Sequence, residues 1–238
     1  MVFRRHRGLP APPERDRLTA AMAGIGMRFA VEPEPGANVE DTLYFASIEG
    51  MEQGDLRVLA LLVSWFGVHH GRINVDRLTR VVTEHGTPRV RALWSALATW
   101  KAADRRYRRL AALHGGERID LLSTGTDFHL RRHGEDPRFA STCLRVPANV
   151  LRDRPSDIAS PEEVARRHAA YRQRVMMGPS YRADLWAAIA AQPTLTASEL
   201  ARGTYASFAS AWQVKRDFAI VEAAASPARE RDERGVSG

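Results

Sequence analysis

Between Leu56 and Val68 the chain carries Leu56, Val58, Leu59, Leu61, Leu62, Val63, Trp65, Phe66 and Val68. On a helix these side chains point in nearly every direction, and a helix that is apolar all round has to be enclosed by its neighbours. No run of roughly eighteen apolar residues occurs, so the enclosing medium is predicted to be protein and not lipid. The flanking sequence offers the partners. Asn38 is placed to cap a helix with Glu40 and Asp41 in its first turn and Leu43, Phe45, Ala46 and Ile48 along its length. Asn74 is placed to cap another through Leu78, Val81 and Val82, ended by Gly86. Thr87 and Pro88 form a cap and first-turn pair. They open a predicted long helix through Val90, Leu93, Trp94, Leu97, Trp100, Leu110 and Leu113, stopped by Gly115 and Gly116. Short links and one central apolar member predict a helical bundle.

Around this block the chain is less regular. Residues 1–17 carry Arg4, Arg5, His6 and Arg7 followed by Pro10, Pro12 and Pro13, and are expected to form a mobile basic arm. Leu18 to Val31 reads as a short helix interrupted at Gly24 and Gly26. Residues 117–158 read as irregular, and a domain boundary is predicted near residue 155. Ser160, Pro161 and Glu163 then give a capping box with proline at the first helical position, opening a helix predicted to reach Gly178. Ser180 caps the next, with Leu185, Trp186 and Ile189 inward, and Pro193 ends it.

The stretch from Leu195 to Val221 follows directly. Thr196 and Glu199 stand at capping-box spacing, so a helix is predicted from Ala197. A break is expected around Gly203 to Ala206. A second helix then runs from Ser207, with Phe208, Ala211, Trp212, Val214, Phe218 and Ile220 or Val221 as candidate buried positions. Its opposite face carries Ser207, Ser210, Gln213, Lys215 and Arg216. Two helices joined in this way form a helix-turn-helix, with Tyr181 to Ala190 as the supporting helix before them. In that arrangement the start of the second helix enters the major groove of DNA, where hydroxyls and amides meet base edges and Arg or Lys meets phosphates.

The spacing from Ala201 to Ala211 and Val214 resembles that of bacterial helix-turn-helix repressors, over about a tenth of the chain. Tyr205 stands where the family's turn usually has glycine, and Thr204 where a leucine or isoleucine is usual. The two-part layout is loosely similar to antitoxins of the abortive-infection type, which carry the DNA-binding part first, whereas here it is last. The resemblance implies a double-stranded DNA partner, autoregulation, a toxin as protein partner, and room for a homodimer.

Charge agrees with an anionic partner without requiring one. Net charge is +7, and Lys101 and Lys215 are the only lysines, so arginine supplies nearly all the positive charge. Lys101, Arg105, Arg106, Arg108 and Arg109 crowd the second half of the predicted long helix, where a dipole-matched solvated end competes with phosphate contacts by Arg105, Arg106 and Arg109. Cys143 is the single cysteine, which excludes an internal disulfide framework or a cysteine-rich zinc site. No apolar signal segment follows the basic start, so a cytoplasmic bacterial protein is expected.

Candidates for chemistry are sparse. His129 and His133 stand four residues apart near Asp127, Glu135 and Asp136, but Gly134 and Pro137 argue against a regular helix there. His69 and His70 read as a cationic cap on the central helix. No nucleophile elbow and no phosphate loop occurs. The fold class predicted is mainly α: a helical domain over 18–155 with an irregular C-terminal part, then a three-helix helix-turn-helix module over 156–222, then a frayed tail over 223–238. The function predicted is a sequence-specific DNA-binding regulator, not an enzyme, with no cofactor and no membrane partner. Ser207, Ser210 and Gln213 would read bases, and Lys215, Arg216 and Arg202 would hold phosphates. A helical protein-interaction subunit is the alternative, and a metal-dependent enzyme using His129 and His133 is the third.

Overall fold

The computed structural model describes residues 8–225, and within them the protein is mainly helical, with twelve α-helices and two short strands. Arg4 to Arg7 and the tail beyond residue 225 lie outside the described residues. Among the described residues the chain divides into two compact units, Leu9–Ala169 and 170–225.

The first unit begins with α1 (Arg15–Gly24), so the last residues of the expected arm are helical. Arg15 donates to Asp55 at 2.9 Å. α2 (Val39–Met51), α3 (Leu56–His69), α4 (Val75–His85) and α5 (Pro88–Trp100) follow, each opened by the residue the sequence offers as a cap or by Asp55. Asn38 accepts from the amide of Asp41, Asn74 from that of Arg77 and Thr87 from that of Val90. In α3, Leu59, Leu61, Leu62, Val63, Trp65 and Phe66 are fully buried. The helix in contact with the most others is nevertheless α2, which packs against α1, α3, α4 and α5. Its buried acids are satisfied: Glu40 accepts from the Asn74 amide at 2.8 Å, and Asp41 pairs with buried Arg77. The buried indoles are also satisfied. Trp65 donates to the Ile25 carbonyl at 2.8 Å and Trp94 to the Ser47 hydroxyl at 3.1 Å.

The predicted long helix is not continuous. α5 ends at Trp100, and after a bend a single 3-10 turn at Arg105–Tyr107 leads into α6 (Arg108–Ala111). Asp104 caps that turn, Tyr107 donates to the His70 carbonyl at 2.7 Å, and the Ser95 hydroxyl of α5 donates to the Ala111 carbonyl. These bonds fold α6 back on α5, so the arginines sit at a corner and not along a helix end. They therefore do not match the dipole of α5, and Arg108 and Arg109 stand instead in the single turn of α6.

Residues 117–158 hold strands β1 (Ile119–Asp120) and β2 (Leu144–Arg145), paired in parallel, and helix α7 (Thr126–His133). A regular helix thus exists where Gly134 and Pro137 argued against one. Gly125 and Gly134 delimit it, both at positive φ. Arginines tie down the remaining irregular backbone. Arg89 donates to the carbonyls of Met51, Asp120 and Leu121, and Arg118 to those of Phe139, Thr142 and Leu144. Part of the arginine content is therefore structural.

The contact division falls further along the chain than the boundary near residue 155. Residues 157–159 are bonded to 26–28: the amide of Ala159 donates to Gly26 and that of Arg28 to Asp157. A Cβ on Gly26, which has φ +111°, would lie 2.6 Å from a Val164 methyl, so α8 (Pro161–Arg167) approaches as closely as glycine permits. The helix predicted to reach Gly178 breaks at His168, which has extended backbone and lies 2.8 Å from the Ala37 carbonyl through Nε2.

The second unit contains the rest of α9 (Ala169–Met177), then α10 (Tyr181–Ala191), α11 (Ala197–Thr204) and α12 (Phe208–Ala225). The core of the last three helices is Leu185, Ile189, Leu200, Ala201, Ala206, Ala211 and Val214, with Trp186 and Phe218 partly buried against it. No helix among the described residues is long and apolar enough to cross a membrane.

Candidate nucleic-acid interface

Both sides of the α11–α12 junction are capped locally. Thr196 and Glu199 form a reciprocal capping box at the start of α11. At its end Tyr205 adopts φ 58°, ψ 18°, the left-handed conformation that glycine supplies in the repressor-like pattern. Thr204 is buried, and its hydroxyl donates to the Leu200 carbonyl at 2.8 Å, which lets a polar residue occupy an apolar position. The Ser207 hydroxyl then accepts from the Ser210 amide at 3.0 Å and opens α12.

Ala211 and Val214 bind α12 to its neighbours, and Phe218 continues that face. At about 100° per residue, the opposite side is centred on Ala209, Trp212, Gln213 and Arg216. All four are exposed. Phe208 and Trp212, expected to be buried, are therefore 44 % and 48 % exposed, and neither Ile220 (66 %) nor Val221 (53 %), one of which is expected inward, is buried. Phe208 and Trp212 are rotated away from the face that Ala211 sets, and Ile220 and Val221 lie beyond the last buried position, Val214.

Each polar residue named from the sequence has a definite position. Ser207 and Ser210 bond each other, hydroxyl to hydroxyl at 2.8 Å, so their first role is the helix start. Gln213 is exposed, and its amide nitrogen donates to Asp217 at 2.8 Å, which leaves the amide oxygen as the free acceptor. Asp217 also accepts from Arg182 at 2.7 Å, and that bond holds its carboxyl below the usual carboxylate range. Arg216 lies over the Trp212 ring, 4.8 Å from its centroid. Lys215 is half-buried, with its ammonium bonded to the Leu195 carbonyl. Arg202 is exposed near the end of α11. Sequence reasoning missed Phe208 and Ala209 as outward residues and misplaced Trp212. The helical period counted from Ala211 and Val214 was the signal that would have found all three.

In the first unit, Arg105, Arg106 and Arg109 lie together at the α5–α6 corner. Arg106 is engaged by Asp104 at 3.0 Å and closer, and this bond depresses the carboxyl of Asp104. Arg105 and Arg109 are exposed.

His129 and His133 are stacked on α7 with ring centroids 6.3 Å apart. Among the described residues, no group of three or more histidines, cysteines or acids is arranged to hold a metal ion. The Cys143 thiol is half-buried and donates to the Ala92 carbonyl at 3.3 Å. His69 is not a cationic cap. Burial lowers its pKa to about 4, and its Nε2 lies 3.0 Å from the Ala159 carbonyl, which fixes a neutral ring that donates through Nε2.

Compared with known proteins, the chain matches no family model, no curated protein and no solved structure.

Proposed function

We propose that the protein is a sequence-specific DNA-binding regulator whose α11 and α12 act as a helix-turn-helix. The observation that supports this best is the outward face of α12. It presents Gln213 and an Arg216 stacked on Trp212, behind a left-handed turn at Tyr205. Gln213 reads a base edge, and Phe208, Ala209 and Trp212 offer apolar contact to thymine methyl groups. Arg216 and Arg202 hold phosphates, with Lys215 as a secondary contact. Ser207 and Ser210 shape the helix start that approaches the groove. Like the antitoxins it loosely resembles, such a regulator would act on its own promoter and answer to a protein partner.

The test is a salt-titrated binding assay of the full chain on duplex DNA from its own promoter. Binding that weakens with salt, and at least tenfold on combined Gln213→Ala and Arg216→Ala, is expected. Absence of duplex affinity at low salt, or affinity indifferent to both changes, overturns the reading.

A second reading is favoured by one specific observation. Phe208 and Trp212, one turn apart, are each nearly half exposed. Two adjacent exposed aromatics are also what a protein-docking face presents. A protein-interaction subunit would show no promoter affinity and would lose its partner on Trp212→Ala.

A further inference from the structure

The α5–α6 corner carries five cations between Lys101 and Arg109, and the structure separates them by what they touch. Lys101 lies over the Trp100 ring, 4.1 Å from its centroid. Arg106 is engaged by Asp104. Arg109 is exposed. Arg105 and Arg108 have no carboxylate within ion-pair distance among the described residues, and both line a groove of about 670 Å³. Thr99, Ala102 and Ala111 form its remaining surface, with the buried Ala98 and Tyr107 behind them.

Two features make this more than a solvated basic patch. Arg105 and Arg108 are three residues apart across a 3-10 turn, where side chains at i and i+3 eclipse. Both side chains therefore leave the backbone on the same side and line the same groove. The platform is also rigid before any ligand arrives. Tyr107 and Leu110 are fully buried, the Tyr107 hydroxyl donates to His70, and the Ser95 hydroxyl donates to Ala111. The backbone that carries the two arginines is therefore held in place in advance, and only their exposed side chains are ordered on binding.

We propose that this groove is a binding site for a small molecule that carries two or more linked phosphates. Paired guanidiniums match the bidentate geometry of phosphate oxygens, and two phosphates in sequence satisfy both arginines at once. The alanine floor accommodates a compact organic body beside them, and the volume lies in the range of small-ligand sites. This site is in the first unit and does not depend on the DNA-binding reading.

The experiment is calorimetric titration of the full chain with inorganic pyrophosphate, orthophosphate and ADP. Saturable binding of pyrophosphate tighter than orthophosphate is expected. It should weaken at least tenfold in the double variant Arg105→Gln and Arg108→Gln, and should persist in a control double variant, Arg131→Gln and Arg132→Gln, on exposed α7. Tighter binding of ADP than of pyrophosphate would identify a nucleotide-like ligand, and equal binding an inorganic one. Circular dichroism checks that each variant remains folded, as exposed arginines predict. The proposal is overturned if pyrophosphate gives no saturable heat at millimolar concentration, or if the two double variants lose binding equally.

Discussion

Arg174 of α9 and Asp184 of α10 form a two-point ion pair, Nε to Oδ1 at 2.8 Å and Nη2 to Oδ2 at 2.9 Å, with side chains 1 % and 7 % exposed. Parallel guanidinium–carboxylate bonds fix both distance and angle, so the pair sets how α9 meets α10. Removing one partner leaves an uncompensated buried charge, which typically costs about 3–5 kcal/mol. Asp184→Ala is expected to destabilise the protein by that order in denaturant melts. The paired change Arg174→Met with Asp184→Leu should be far milder. Equal loss in both would mean that the ion pair is not the source of the effect.

His69 makes stability depend on acid. Its folded pKa, about 4, lies below the ordinary value of 6.5, so the unfolded chain binds the extra proton first as pH falls. The stability held by neutral His69 is complete above about pH 6.5 and is lost progressively down to about pH 4. At about 1.4 kcal/mol per pKa unit the loss is roughly 3 kcal/mol. A His69→Gln variant, which retains a donor for the Ala159 carbonyl, should show a flatter profile between those limits. A profile as steep as the parent's would remove His69 as the cause.

Tyr205 occupies a backbone region in which Cβ crowds the following carbonyl. Tyr205→Asn keeps a residue that tolerates φ near 58°, whereas Tyr205→Val adds a β-branch to it. The valine variant is expected to be less stable than the asparagine variant by about 1–2 kcal/mol. Thermal unfolding of the two side by side decides this, and equal stability would show that the turn relaxes to another conformation.

On the DNA-binding proposal, Arg216 contributes one phosphate contact. Arg216→Ala should then lower the slope of log affinity against log salt by about 1, with the loss spread evenly across sequences. Gln213→Ala should leave the slope unchanged and relax discrimination at one base position. Filter binding on operator and scrambled duplexes at four salt concentrations separates the two. A Gln213 variant that changes the slope would place that residue on the backbone and not on a base.

The capping residues were legible because their bonds are local. Asn38, Asn74, Thr87, Ser160, Ser180 and Thr196 each accept from the amide three residues on, whatever the rest of the chain does. The end of α5 was not legible, because Leu110 and Leu113 keep an apolar supply going and the break depends on distant partners, His70 among them. The contacts of α2 were hidden for a related reason. Glu40 and Asp41 read only as first-turn acids favoured by the helix dipole, and it is the fold that supplies Asn74 and Arg77 as their buried partners. For α7, glycine was read as a breaker, although Gly125 and Gly134 stand at its two ends. On α12, Phe208 and Trp212 were assigned inward for being apolar, when Ala211 and Val214 already define the inward direction. Ser207 also caps α12, a role the sequence does not separate from base reading, since a capping hydroxyl and a reading hydroxyl are the same residue there.

Asp217 places a negative charge at the border of the outward face of α12, latched by Arg182 and the Gln213 amide. On the DNA-binding proposal, a duplex whose backbone passed close to that carboxylate would be held off it to the extent that Arg182 leaves its charge uncompensated. A seated register that placed the carboxylate over open groove would avoid that repulsion. Asp217 would thus lower the residence time on random sequence more than on the correct one, and so serve discrimination without touching a base.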